Sequence, residues 1–171
     1  MNTKTKKLSI VSMVLCGMFA ALVAIGAFIQ IPVPYMDYFT LQFFFVLLAG
    51  LILGADKGAI SVGCYVLLGL VGVPIFAAGG GIGYIFRPSF GYLVGFIVSA
   101  YVTGKVCEKL KASYKNYLLA CLAGFVVTYA IGIVYKFIIL NFYAHTPATL
   151  GVIFLSCFPL VHSCFLRSTF V

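Results

Sequence analysis

The sequence predicts an all-α integral membrane protein of six transmembrane helices in a single domain spanning 1–171. Three observations carry that expectation. Of the 171 residues, 64% are hydrophobic and only 8% are charged, where soluble domains carry roughly 25% charged residues. Long apolar runs alternate with short basic or glycine- and proline-rich segments. An upright span needs roughly 20 apolar residues, so this length holds about six helices and leaves no room for a soluble catalytic domain. The net charge of +8 would point to nucleic acid in a soluble chain. Here the cations flank apolar spans, the pattern favoured by anionic headgroups and the insertion machinery, and no nucleic-acid partner is expected.

The first helix is predicted over about 8–31. A basic start resembles a signal peptide, but the apolar stretch exceeds the roughly 7–15 residues of a signal h-region, so a retained helix is expected. Pro32 and Pro34 end it, because proline lacks an N–H and fixes φ. The linker PVPYMDYFT holds Asp37; helices over about 40–53 and 58–72 follow, joined by GADKG. A fourth helix is expected at about 90–107, a fifth at about 117–140 and a sixth at about 148–166, with KVCEKLKASYKN and NFYAHTPAT as connections. Cys16, Cys64, Cys107, Cys121, Cys157 and Cys164 lie in or beside apolar spans, without C-x-x-C or Cys/His spacing, and read as small packing residues rather than metal ligands.

Topology follows from the cations. Lys4, Lys6 and Lys7, then Lys57, then Lys105, Lys109, Lys111 and Lys115, and finally Arg167 fall on one set of alternate connections; the other set carries Arg87. The positive-inside rule then puts both termini in the cytoplasm and Arg87 outside. Arg87 stands in VPIFAAGGGIGYIFRPSFGYLVGF. An interfacial anchor snorkelling to headgroups is the simple reading. The sharper one is an anion receptor, because a guanidinium grips a carboxylate bidentately, more strongly where aromatic walls exclude water. Gly79, Gly80 and Gly81 fit the second reading, since glycine lets backbone approach a ligand closely. Irregular backbone at membrane depth survives where protein buries it or where it lines a cavity, which predicts a lid over an outward-facing ligand pocket. No G-x-x-x-x-G-K-[ST] occurs, so no ATP site of that kind is expected.

Three segments carry a family resemblance: IPVP…TLQ…LLAG…LG, LLGLVGVPIFA and GGG…GY…P…GY. Together they resemble BioY, the biotin-binding S-component of energy-coupling factor vitamin transporters. The similarity is close over about 31–100 and looser through the fifth helix and HTPATLG. It implies a non-enzymatic plasma-membrane subunit that captures extracellular biotin, with no cofactor, and works with a membrane coupling subunit and two cytoplasmic ATPases. It further implies a pocket roofed by the loop between helices one and two and by the glycine-rich segment. The positions of this chain that match are Thr40, Gln42, Gly79, Gly80, Gly81, Tyr84 and Arg87. Gln42 can donate to and accept from a ureido group, Arg87 can hold a carboxylate and Tyr84 can wall a ring. Gln42 bonded to a neighbouring helix is the bland alternative.

The first helix also carries small residues at Gly17, Ala20, Ala21, Ala24 and Ala27. Close packing inside the bundle explains such a stripe. The resemblance implies instead that an A-x-x-x-A pair, here Ala20 and Ala24, docks the coupling subunit. At the other end the match fails: the family's P-G-D-x-x-K type motif is replaced by LSCFPLVHSCFLRSTFV, and beyond Lys136 there is no Asp, Glu or Lys. The departure after about residue 157 reads either as an altered C-terminus or as a native end with reduced biotin affinity, and His162 as a partial substitute for the missing charges or as an interfacial residue. Lys136, in the outer third of the fifth helix, is either snorkelling or a pocket contact, and Asp37 can pair with Lys136 or Arg87. Competing functions are capture of another small vitamin, a lipid-active membrane enzyme and an assembly protein. His145, His162 and Glu108 do not assemble into a nucleophile, base or metal constellation, and an assembly role leaves the glycine-rich segment with Arg87 unexplained.

Overall fold

The computed structural model describes residues 9–31, 39–110 and 113–143. They form five α-helices: α1 (Ile10–Phe28), α2 (Gln42–Leu53), α3 (Ala55–Val71), α4 (Phe90–Lys109) and α5 (Tyr114–Ile138), the last running on into a π-helical turn, Ile139–Tyr143. Two strands of two residues each, β1 (Gln30–Ile31) and β2 (Phe39–Thr40), pair antiparallel with Gln30 opposite Thr40. The sixth predicted helix lies outside the described residues, as do Asp37, His145, His162 and Arg167.

Among the described residues, three helices are long and apolar enough to cross a membrane: Ile10–Phe28, Phe90–Lys109 and Tyr114–Phe142. α2 has 12 residues, a rise of about 18 Å against a hydrocarbon core of about 30 Å. α3 starts three residues before its predicted position, because Ala55, Asp56 and Lys57 form its first turn rather than a loop. Two tertiary features account for the difference. Gly54 turns the chain at φ 81°, a left-handed conformation that glycine adopts without a steric penalty. Glu108, at the end of α4, accepts the Ala55 backbone N–H at 3.0 Å, satisfying a helix-start donor that nothing local caps.

α1 turns Ser12, Cys16, Phe19, Val23 and Ala27 inward and leaves Val11, Val14, Met18 and Ile25 exposed, an outer face suited to lipid tails. The core it meets contains Val46 and Ala49 of α2, Val62 and Tyr65 of α3, and Leu93, Phe96 and Ala100 of α4. Small hydroxyls make several of the hydrogen bonds between helices. Ser61 Oγ donates to the Cys16 carbonyl at 2.6 Å, keeping α1 on α3.

The α4–α5 pair is the most regular interface. Gly91, Gly95, Ser99 and Thr103 recur every fourth residue on α4, and Ala120, Gly124, Thr128 and Gly132 do so on α5. Run antiparallel, Ser99 Oγ donates to the Gly124 carbonyl at 2.9 Å and Thr103 Oγ1 to the Ala120 carbonyl at 3.3 Å. A Cβ at Gly95 would stand 3.0 Å from the Thr128 carbonyl. Small residues let the two backbones approach, and hydroxyls then bond across the gap, as expected where lipid offers no hydrophobic drive for association. Farther along, Tyr92 lies over Gly132 and Tyr135 over Gly91, so two large rings fill space opposite the two glycines.

The bundle has two chemically different ends. Lys57, Lys105, Lys109 and Lys115 gather where α2 passes to α3 and α4 to α5. The opposite end carries the β1–β2 ladder, the 72–89 segment and Arg87.

Candidate functional site

The glycine-rich segment is an ordered structure with its own hydrogen bonds. Phe76 and Gly79 exchange backbone bonds, N–H to carbonyl, at 2.9 and 3.1 Å, making a tight turn with Ala77 and Ala78 at its tip. Gly79 and Gly81 take φ of 112° and 101°, which restricts both positions to glycine in practice. Gly81 N–H donates to the Gly69 carbonyl at 2.7 Å, tying the segment to the last turns of α3. Gly80 presses against the Val73 carbonyl so closely that a Cβ would overlap it. A short 3-10 helix, Ile82–Phe86, then leads to Arg87.

Aromatic packing anchors this segment from below. Phe76, 1% exposed, lies with its ring centroid 4.7 Å from that of Tyr84 and 5.6 Å from that of Tyr65, separations at which aromatic pairs attract. Its ring fills the space over Gly69, where a side chain would collide with it. The Tyr65 hydroxyl donates to the Ile75 carbonyl at 3.0 Å, and Tyr135 of α5 donates to the Ile85 carbonyl at 2.5 Å. Two tyrosines therefore hold the segment at either side of the triple glycine.

The second arm of the site comes from the start of α2. Gly26 of α1 packs against the Gln42 backbone, and the Gln42 side chain is turned inward, 3% exposed, beside Tyr65. The amide meets the Tyr65 hydroxyl of α3, but its Nε2 makes no hydrogen bond of full geometry. A buried donor without a full bond costs about 1–3 kcal/mol, which leaves the Gln42 amide with capacity for a further acceptor. Thr40 stands two residues away, in the ladder opposite Gln30. Gln30 Nε2 reaches across to donate to the Ala77 carbonyl at 2.9 Å.

Of the sequence candidates, Thr40, Gln42, Gly79, Gly80, Gly81, Tyr84 and Arg87 all lie at this end of the bundle. Tyr84 is buried, while Arg87 is exposed with its guanidinium carbon 5.5 Å from the centre of the Tyr84 ring, a cation–π distance. Among the described residues the carboxylates are Asp56 and Glu108, both at the lysine-rich end, so none of them neutralises Arg87. Lys136 is half-buried in the last turn of α5. The α1 candidates differ. Ala20 is packed into the core and Ala24 is half-buried, whereas Gly17 and Ala21 are exposed. Phase decides this: Ala20 follows Phe19 on the inward stripe.

Tyr65, Phe76, Gln30 and Tyr135 escaped the sequence reading. A tyrosine inside an apolar span was the available signal, because a buried hydroxyl must find a partner. The partners here are loop carbonyls, which no side-chain pattern announces.

A family model described as the BioY family matches residues 1–166. The chain belongs to the BioY family. The match extends beyond residue 157, where the terminal charges expected of the family are absent. Among curated relatives, a probable biotin transporter BioY of Lysinibacillus sphaericus is 41% identical over 151 residues, covering 88% of this chain and 76% of that protein. The biotin transporter BioY of Thermotoga maritima is 45% identical over 130 residues, covering 75% and 73% respectively. In fold, the chain matches a crystal structure of the S-component for biotin from an ECF-type ABC transporter, with a TM-score of 0.74 at 22% identity, over 97% of this chain and 92% of that one. This BioY chain is accordingly a membrane protein with the S-component fold.

Proposed function

We propose that this BioY protein captures extracellular biotin and delivers it across the plasma membrane as the substrate-binding subunit of an energy-coupling factor transporter. In this reading the chain is one six-span domain with cytoplasmic termini, the lysine-rich end faces the cytoplasm by the positive-inside rule, and the glycine-rich end faces outward over the pocket. The protein makes and breaks no covalent bond. A membrane coupling subunit and two ATPases supply the energy, and the exposed small positions of α1, Gly17 and Ala21 beside Ala24, form the surface on which the coupling subunit packs.

The observation that carries the reading to particular atoms is the buried Gln42 amide beside Tyr65, whose Nε2 lacks a full hydrogen bond. Biotin is a ureido ring with an apolar thioether face and a carboxylate tail. Gln42 donates to the ureido oxygen, Tyr84 provides an apolar wall, and Arg87 holds the carboxylate through charge-assisted hydrogen bonds. Thr40 and the backbone of Gly79, Gly80 and Gly81 close around the ligand.

The test is uptake of labelled biotin by cells that lack other biotin transport, expressing this chain with and without a coupling subunit and its ATPases. Accumulation that needs both, and that unlabelled biotin but not other vitamins suppresses, supports the reading. No accumulation above empty cells from a chain present in the membrane contradicts it.

A further inference from the structure

We propose that Gln30 is a strap joining the two arms of the roof, and that making and breaking its bond sets how fast the ligand enters and leaves. The inference rests on the ligand-binding reading above and names a positioning residue, one that acts on the roof rather than on the ligand.

The geometry places Gln30 where one side chain can couple two separately built pieces. On its own side the backbone is fixed: Gln30 faces Thr40 in the two-residue ladder, and Leu41 N–H donates to the Ile29 carbonyl at 3.1 Å. That brace leads directly into Gln42. On the other side, Ala77 sits at the tip of the Phe76–Gly79 turn, which Phe76, Tyr65 and Gly69 anchor to α3. Gln30 Nε2 donates to the Ala77 carbonyl at 2.9 Å across 47 residues of sequence, and this bond is exposed.

Burial distinguishes this contact from the others at the roof. The Tyr65 bond to Ile75 and the Tyr135 bond to Ile85 are partly buried and fasten the glycine-rich segment to the bundle. The Gln30 bond is open to water, which can replace either partner, so its net contribution is small and it breaks readily. A fastening that opens at little cost between two rigid pieces is what a gate requires, and lid opening often limits passage through such sites.

The experiment uses the purified full chain in lipid nanodiscs. Release of labelled biotin is timed for the wild type, Gln30→Ala, which removes the donor, and Gln30→Lys, which restores one on a long side chain. In parallel, with no ligand added, hydrogen–deuterium exchange is followed at the Phe76, Gly79 and Gly81 amides. The proposal predicts release about two- to tenfold faster in Gln30→Ala, the range for one solvent-exposed hydrogen bond. It also predicts faster exchange at those three amides, and a return toward wild-type behaviour in Gln30→Lys. Unchanged release and exchange in Gln30→Ala overturn it, as does faster exchange with unchanged release, which makes Gln30 a brace that does not gate. If the wild type binds no biotin, the biotin reading fails and the exchange arm decides the strap by itself: unaltered exchange overturns it.

Discussion

The Tyr65 hydroxyl, inside α3, donates to the Ile75 carbonyl at 3.0 Å, so the roof is fastened by a bond that starts within the bundle. The same ring meets Phe76 edge-on at 5.6 Å and lies beside the inward-turned Gln42. One residue thereby links the two arms of the site to the core. Tyr65→Phe keeps the ring and removes the bond, leaving the Ile75 carbonyl without this donor at a cost of about 1–3 kcal/mol. A lower thermal midpoint in detergent, together with weaker biotin binding, is the expected outcome, read by thermal aggregation and by filter binding.

In the proposed reading, Gln42 carries a cost in the folded protein that ligand binding removes. Gln42→Leu replaces the incompletely bonded amide with a side chain of similar volume. The folded state is then expected to be at least as stable as the wild type, while biotin affinity falls roughly tenfold or more, the equivalent of one lost buried hydrogen bond. Stability and binding moving in opposite directions mark a residue kept for function. A parallel loss of both would make Gln42 a packing residue.

The α4–α5 interface predicts a sharp positional contrast. A side chain at Gly124 would meet the Thr103 and Ser99 hydroxyls and Leu47, whereas one at Gly17 would meet nothing within 4 Å. Gly124→Leu is expected to destabilise by about 1–3 kcal/mol through overpacking, and Gly17→Leu to leave the isolated chain's stability unchanged. Monodisperse yield after heating separates the two. If Gly17 lies on the coupling surface, the second variant loses assembly with the coupling subunit while keeping its biotin affinity.

Arg87 is exposed and stacked on Tyr84, placed to receive an anion. Charge-assisted hydrogen bonds contribute about 1.5–3 kcal/mol, so Arg87→Ala is expected to weaken biotin binding by roughly ten- to a hundredfold. The same substitution should have little effect on binding of biotin amide, which lacks the carboxylate. Equal losses for both ligands would assign Arg87 to the roof's structure instead.

The legible parts of the fold were those written in continuous apolar runs and in their punctuation. The long runs behind α1, α4 and α5 gave those helices, and the prolines and glycines around the 72–89 segment marked the roof. GADKG read as a loop because the group that caps α3, Glu108, lies 53 residues away. The β1–β2 ladder is two residues long, too short for any alternation to register. Gln42 and Arg87 stood out as polar groups in apolar surroundings. Gln30 and Tyr65 did not, because each acts on a backbone carbonyl that the sequence cannot display. The α1 stripe was ambiguous because its small residues span more than one helix face, and packing alone decides that Ala20 turns inward while Ala21 does not.

Equilibrium binding of radiolabelled biotin to the purified, detergent-solubilised chain tests the central claim most directly, with a variant restoring the family's charged motif in the last segment run beside it. Saturable binding by the chain as it stands, displaced by unlabelled biotin, is the predicted result. A monodisperse protein that binds no biotin in either form would contradict the account.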